Sequence, residues 1–302
     1  MNSALASNPI YDEAIVGGCD VCGSAVQESV FTLPVLDGPY RNEKPPRKRK
    51  FQRCLACGHI SVDLYEINRY TDYYRNLQMA YHSCHDIDCS RYKTILEILQ
   101  RNGARRILDV GCGTGTFLNM LPRDIERFGV EPALEASNRA LASSISIVGF
   151  EDLKRHELAH SFDVVTAIDV VEHTKSLSRL RDDFATALRP GGLLLLLTGD
   201  FDSPPARFLG RHWYYLHYSE HVSFFSARSI KTWLAPAFHD IEITRSNHHP
   251  LRFAPREMAS LVKMCLGFPL KWFIHQVSQS TCVPYPALWT LGDHMLVKAV
   301  RR

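Results

Sequence analysis

The sequence predicts an α/β fold, a doubly wound and mostly parallel sheet, on three observations. An apolar run, Arg106–Val110, ends in glycines at alternate positions, Gly111, Gly113 and Gly115, ahead of a helix-like start at Thr116–Leu121. Two further apolar runs, Arg127–Val130 and Phe162–Ile168, each close on an acid, Glu131 and Asp169. A turn at Leu188–Gly192 then leads into Leu193–Leu197, apolar on both faces as a central parallel strand is. These elements come in the order that a Rossmann-like sheet requires.

Ahead of that sheet, Cys19-x-x-Cys22 and Cys54-x-x-Cys57 are each followed directly by a glycine, Gly23 and Gly58. Two such knuckles let backbone amides curl toward thiolates and together supply four sulfur ligands, the set of a structural zinc site. A redox pair is the alternative, but one pair would suffice for it and neither follows a βαβ pattern. Four sulfurs leave no open coordination position, so the metal is expected to hold a fold and not to react. The remaining cysteines, Cys84, Cys89, Cys112, Cys265 and Cys282, show no ligand spacing and are expected to be packed thiols. Residues 1–64 are therefore expected to form a small four-cysteine, zinc-ribbon-like domain, with a hairpin and an irregular loop between the cysteine pairs.

Lys44, Arg47, Lys48, Arg49, Lys50 and Arg53 cluster around Pro45-Pro46. This run reads as a solvated loop or as a contact for phosphate or another anion. Residues 65–105 then form a linker containing Tyr65, Tyr70, Tyr73, Tyr74 and Tyr81, followed by an amphipathic helix from about Ser90 to Arg101 with Ile95, Leu96 and Leu99 on one side.

The glycines of the central loop let a ligand lie against bare backbone, and the G-x-G-x-G spacing is not the G-x-G-x-x-G of nicotinamide and flavin sites. Glu131 lies about 20 residues past the first glycine, at the tip of the second strand, where ribose hydroxyls are held. Four ordered motifs, LDVGCGTG (108–115), GVEP (129–132), FDVVTAIDVVEH (162–173) and LRPGGLLLL (188–196), resemble class I S-adenosylmethionine-dependent methyltransferases. The resemblance implies a seven-stranded sheet over 106–302, closed by an antiparallel hairpin of Ile241–Thr244 and His294–Val300. It implies that Asp109 shapes the glycine loop near the methionine amino group and that Gly111, Cys112, Gly113 and Gly115 contact the methionine portion. It further implies that Glu131 takes the ribose hydroxyls and that Asp169 lies at the cofactor end of its strand. An adenine-contacting acid is expected near Gly149–Leu153, where Phe150 occupies the usual acidic place and Glu151 or Asp152 would substitute. The leading helical linker is expected to cover the cofactor.

Two clusters beyond the strand ends suit chemistry. Asp169–His173 resembles the acidic-x-x-Glu-His segment of quinone-biosynthesis O-methyltransferases, where such groups can hold a divalent metal. The same Glu172-His173 pair is also a widespread helix-start feature, so a metal on Asp169, Glu172 and His173 stays open, with His173 lining the pocket. Tyr218–Ser226, beyond an insertion bearing Trp213-Tyr214-Tyr215, resembles the Y-x-E-H-x-x-x-F-S segment of zinc-containing deoxysugar methyltransferases. Leu36–Asn42 is similar to their loop between cysteine pairs. Carried over, His221 or Tyr218 is the base and Glu220 orients the histidine or holds a sugar hydroxyl; the alternative is a structural pair at a loop base. Those enzymes continue into a sizeable C-terminal domain that this sequence lacks, which keeps O- or N-methylation level with C-methylation. Two amphipathic helices interrupted by Pro269 are expected in an insertion around 250–286; their apolar face suits a lid, a greasy acceptor, a dimer partner or a membrane surface.

The formal net charge of +3 gives no global field for nucleic acid. The polar Met1–Pro9 start, the short apolar runs and the odd count of nine cysteines point to a cytoplasmic protein without a membrane span or disulfide framework. The expected function is methyl transfer from S-adenosylmethionine to a small polar metabolite, foremost a nucleotide-linked sugar whose diphosphate meets the basic run. RNA methylation through the cysteine domain is the first alternative, and a non-catalytic cofactor-binding protein the second.

Overall fold

A computed structural model of the chain describes residues 18–35, 47–62, 92–174, 176–247 and 292–302. The expected Tyr65–Tyr81 cover, the 36–42 loop, the helices of 250–286 and Cys84, Cys89, Cys265 and Cys282 lie outside them.

The N-terminal module contributes strands β1 (Gln27–Pro34), β2 (Lys48–Cys54) and β3 (Ile60–Val62). Next come α1 (Lys93–Asn102), β4 (Arg106–Val110), β5 (Glu126–Val130), α2 (Leu134–Ala142), β6 (Ser146–Ile147), β7 (Phe162–Ile168) and α3 (Leu177–Ala187). The chain then forms β8 (Leu188–Gly199), α4 (Pro204–Leu209), β9 (Ser223–Phe224), α5 (Ala227–Leu234), β10 (Phe238–Ser246) and β11 (His294–Arg301). The expected seven-stranded sheet is present, in the order β10-β11-β8-β7-β4-β5-β6. Strands β4 to β8 pair in parallel, and β11 runs antiparallel between β8 and β10.

Strand alternation divides the core in two. Leu193, Leu195 and Leu197 of β8 pack with Ile95 and Leu99 of α1 on one face of the sheet. Leu194 and Leu196 pack on the other face with Phe184 of α3 and with Ile230 and Trp233 of α5. Each fully buried leucine contributes about 1.5–3 kcal/mol relative to exposure, so one strand apolar on both sides ties both helical layers to the sheet. Helix α1 ends at Gly103, whose left-handed φ of 60° closes the last turn.

The expected helix at Thr116–Leu121 is a single 3-10 turn, Leu118–Met120. Pro122 follows and holds Leu121 extended, at φ −76° and ψ 148°, which cuts the helix short. The expected Pro190-Gly191-Gly192 turn is absorbed into β8 as an irregularity in its pairing with β7 between Phe162 and Val164.

A second sheet has the order β1-β2-β3-β9. Its fourth strand comes from the far side of β8: Ile60 pairs with Phe224 and Ser61 with Ser223. The basic run is in part this sheet and not a solvated loop. Lys48 and Lys50 of β2 face out while Arg49 is buried, the alternation that a strand imposes; Lys44 to Pro46 lie outside the described residues. Among the described residues, no helix is long and apolar enough to cross a membrane.

Candidate active site and cysteine cluster

The glycine loop is fixed by main chain first. The Gly111 and Cys112 amides donate to the Val130 carbonyl (2.8 and 3.2 Å), tying the end of β4 to the end of β5. Gly111, Gly113 and Gly115 take φ values of 75°, 54° and 82°, in the left-handed region that favours glycine. A Cβ on Gly111 would lie 2.5 Å from Val170 Cγ2, and one on Gly115 2.2 Å from Ile145 Cδ1. Gly111→Ala is therefore expected to cost about 1–3 kcal/mol, read as a lower urea midpoint. Cys112 is a buried packed thiol, as expected, and its sulfur would meet a Cβ on Gly129 at 2.4 Å.

Glu131, at the tip of β5, is buried and accepts from the amides of Gly113 (2.9 Å) and Ala133 (2.7 Å). Burial pushes its pKa up against these two donors. Asp109 is buried one strand away. Burial raises its pKa to about 7; the Thr166 hydroxyl, donating at 2.6 Å, offsets part of that rise and the Glu131 charge adds to it. Glycine backbone and two buried carboxylates thus converge at the C-terminal ends of β4 and β5, where the carboxylates can accept from an ammonium and a ribose diol. Asp152 accepts from the Gly149 amide (2.8 Å) and pairs with Arg155, whereas Glu151 is exposed and pairs with Arg179 at 2.7 Å. Asp169 directly follows β7 at φ 53°, and its amide donates to the Leu197 carbonyl at 2.9 Å.

The structure brings His173, Tyr218, Glu220 and His221 together. The His173 and His221 rings meet edge to face at 4.8 Å, and Tyr218 lies 5.0 Å from His221. The buried His221 places Nδ1 2.9 Å from the Tyr215 carbonyl. A carbonyl only accepts, so Nδ1 carries the proton and the neutral ring keeps its lone pair on Nε2. Burial, followed by the charge of neighbouring His173, holds the His221 pKa well below its usual value. Of the two roles the sequence expects for Glu220, orienting His221 or holding a sugar hydroxyl, the first falls to the Tyr215 main-chain oxygen. The Glu220 carboxylate sits 3.4 Å from the Ser219 hydroxyl, and its carbonyl lies 3.2 Å from His173 Nδ1.

Beneath this pair, Glu172 is fully buried. One of its oxygens accepts from the Tyr215 hydroxyl (2.7 Å) and the other from the Thr198 hydroxyl (2.9 Å), and burial raises its pKa. The carboxylate is satisfied by hydroxyls in the manner of buried polar groups generally. The Tyr215 hydroxyl in turn accepts from the Gly199 amide at 3.1 Å. A Cβ on Gly199 would lie 2.5 Å from that ring, so Gly199 leaves the room that Tyr215 occupies. Nothing in the local sequence marks Thr198 for this role, and Tyr215 is marked only by its place in an aromatic run. Ser226, at the end of the Tyr218–Ser226 segment, caps α5 in a reciprocal box with Ser229.

The four knuckle cysteines also converge. Cys19 and Cys57 sulfurs are 3.6 Å apart, Cys22 and Cys54 3.5 Å, and all four lie within 4.8 Å of one another. A tetrahedral cage with sulfurs about 2.3 Å from zinc has edges of roughly 3.8 Å, so the geometry fits that ion. The Gly23 amide donates to the Cys19 carbonyl (2.7 Å) and the Gly58 amide to the Cys54 carbonyl (2.8 Å). Both glycines have positive φ, 74° and 79°.

Residues 85–237, just over half of the chain, match the family described as the methyltransferase domain. The ubiquinone biosynthesis O-methyltransferase of Bradyrhizobium diazoefficiens is 30% identical over 122 residues, 37% of this chain and 47% of that protein. The Vibrio cholerae enzyme of the same name is 27% identical over 149 residues, 46% of this chain and 61% of its own length. The chain spans about half the length of the curated relatives it matches. A chain in the complex between the Haloferax volcanii Trm112 methyltransferase activator and its methyltransferase candidate shares the fold. Its TM-score is 0.50 at 15% identity, over 70% of this chain and 90% of that one. With the glycine loop, the two buried acids and the seven-stranded order in place, the match over residues 85–237 completes the assignment: the chain belongs to the class I S-adenosylmethionine-dependent methyltransferase-domain family.

Proposed function

We propose that the protein moves a methyl group from S-adenosylmethionine to a hydroxyl of a small polar metabolite, foremost a nucleotide-linked sugar, with His221 as general base. The observation that carries this reading is the buried, neutral His221, locked by Tyr215 as the Nδ1–H tautomer so that Nε2 is the proton acceptor. The bound cofactor supplies an electrophilic sulfonium methyl; the chain's own residues hold, align and deprotonate. Asp109 meets the amino group, the Gly111–Gly115 backbone lies along the methionine portion, and Glu131 takes the ribose hydroxyls. Glu151 or Asp152 contacts adenine, and Asp169 belongs to the cofactor site. Tyr218 and Glu220 hold the acceptor hydroxyls, while His173 packs against the base. Cys19, Cys22, Cys54 and Cys57 hold a structural zinc ion. The organisation is a zinc-binding module over 1–64, a cofactor cover over 65–105 and the transfer domain over 106–302.

A second reading takes a phenolic ring as acceptor. The named relatives act in ubiquinone biosynthesis, and Tyr214, Tyr215 and Tyr218 cluster around His221 with ring separations of 4.1–6.2 Å. Both readings end in O-methylation by the same base. Incubating the protein and methyl-labelled cofactor with extract of the source cells separates them. Label in acidic, water-soluble metabolites supports the sugar, label in the organic phase supports the phenol, and label in RNA overturns both. Cofactor binding with no labelled fraction supports a non-catalytic protein.

The Asp109 carboxyl gives a pH dependence with a definite sign. A cofactor ammonium favours the ionised carboxylate, whereas the free protein holds the proton up to about pH 7. Binding therefore releases a proton below that pH. The dissociation constant for S-adenosylhomocysteine is expected to rise ~10-fold from pH 8 to pH 6, and Asp109→Asn should flatten the profile. Calorimetric titration at the two pH values decides it.

A further inference from the structure

Arg49 belongs to the cysteine module yet is spent on the transfer domain. It lies on β2, the strand that ends in Cys54, and is turned inward beside Phe51, its guanidinium 5.3 Å from that ring. Its Nη1 donates to the carbonyls of Tyr218 (3.0 Å), Ser219 (2.8 Å) and His221 (3.1 Å), and its Nη2 to the carbonyl of Leu216. These four oxygens bracket the loop that carries Tyr218, Glu220 and His221. The same loop supplies the Tyr215 carbonyl that sets the His221 tautomer, one residue before Leu216. Only a planar guanidinium spans so many acceptors in fixed directions; a lysine ammonium is a point charge with three donors.

The module grips the domain at further points. Asp20, in the first knuckle, accepts from the Leu177 amide at the start of α3 and lies 3.3 Å from the Ser178 hydroxyl. Arg228 of α5 donates to the Ala56 carbonyl in the second knuckle at 2.6 Å. The Val62 amide donates to the Val222 carbonyl (3.0 Å), and the Val222 amide donates to the Glu172 carbonyl (2.8 Å). The cysteine site, β2 and the His221 loop are thus one continuous hydrogen-bonded frame.

We propose that Arg49 is a positioning residue for methyl transfer: from the cysteine module it fixes the 216–221 loop and so holds the His221 imidazole as the Nδ1–H tautomer. The inference rests on the reading of His221 as base. It assigns the N-terminal module a direct part in building the site, beyond that of an appended fold.

The test uses full-length protein labelled with 15N-histidine, with the His221 signals assigned by their loss in His221→Ala. Wild type is expected to show the Nδ1–H tautomer. Arg49→Met should shift His221 toward a mixture of tautomers and lower labelling of the small-metabolite fraction of extract ~10–100-fold, the size of effect that misplacement of about 1 Å produces. Its affinity for S-adenosylhomocysteine and its zinc content should stay at wild-type values. Arg49→Lys, which retains a cation with fewer directed donors, should fall between the two and serves as the variant if the methionine form does not bind S-adenosylhomocysteine. A wild-type tautomer and wild-type transfer in a cofactor-binding Arg49 variant overturn the proposal. Full transfer by His221→Ala would sink the base reading alone, since the tautomer signal still decides whether Arg49 holds the loop.

Discussion

His221→Ala is expected to lower methyl transfer by ~10²–10⁴, the usual contribution of a positioned general base, with affinity for S-adenosylhomocysteine unchanged. The side chain donates to the Tyr215 carbonyl and not to the glycine loop, so its removal leaves Asp109, Gly113 and Glu131 in place. Single-turnover rates at saturating cofactor test this, and equal rates would remove His221 from the chemistry. The pH profile is a second signature. Burial holds the imidazole well below its usual pKa, so the base stays unprotonated through the neutral range and the acidic limb of the rate should lie below the ordinary histidine value of about 6.5. For stability the sign is the opposite of an ion-paired histidine. A folded pKa below the unfolded one leaves stability intact above about pH 6.5 and removes it as pH falls from there toward the folded value. His221→Ala should therefore lose less stability between pH 8 and pH 5 than wild type does, read from urea midpoints.

Cys54→Ser is expected to abolish stoichiometric zinc binding and the order of β1–β3 together. Apparent binding energies of structural zinc in small peptides are about 10–16 kcal/mol, comparable with the whole stability of a domain, about 5–15 kcal/mol. The module's own core is small. Phe51, Ile60 and Val62 are buried largely against Trp213, Tyr215, Leu216 and Phe224 of the transfer domain. Losing the metal should thus expose hydrophobic surface on both partners, seen as dye binding and as rapid amide exchange in β1–β3. Labelled transfer should fall with it, because the His221 loop loses Arg49. A Cys54→Ser protein with wild-type exchange protection and transfer would show that the cysteine cluster is not a structural metal site.

The parts of the molecule legible in the sequence are those that a local pattern encodes. Glycines spaced at alternate positions and the acids Glu131 and Asp169 place β4, β5 and β7 within a residue or two, and Leu193–Leu197, apolar on both faces, marks β8, which begins earlier, at Leu188; the two-residue β6 carries no such pattern. The paired knuckles foretell the cysteine cluster for the same reason. What the sequence conceals are contacts whose partner is main chain. Arg49 is one of six basic residues in a short run, and nothing in that composition tells which of them turns inward to four carbonyls. Glu220 stands beside His221 in the motif and so attracts the orienting role, yet neighbours in sequence point different ways, and the Tyr215 carbonyl has no letter of its own. The missing helix after the glycine loop has a different cause. Thr116–Leu121 has helical composition, but Pro122 holds Leu121 extended and leaves one 3-10 turn.

The pairing of β3 with β9 has a consequence for biosynthesis. On the ribosome the cysteine pairs emerge long before Ser223 and Phe224 are made. Until they arrive, Ile60–Val62 is the outer strand of a three-stranded sheet, with an unpaired edge and with Ile60 and Val62, both buried in the finished protein, left uncovered. The nascent chain short of residue 223 is therefore exposed to edge-to-edge association, and a truncated product ending there would keep that open edge permanently.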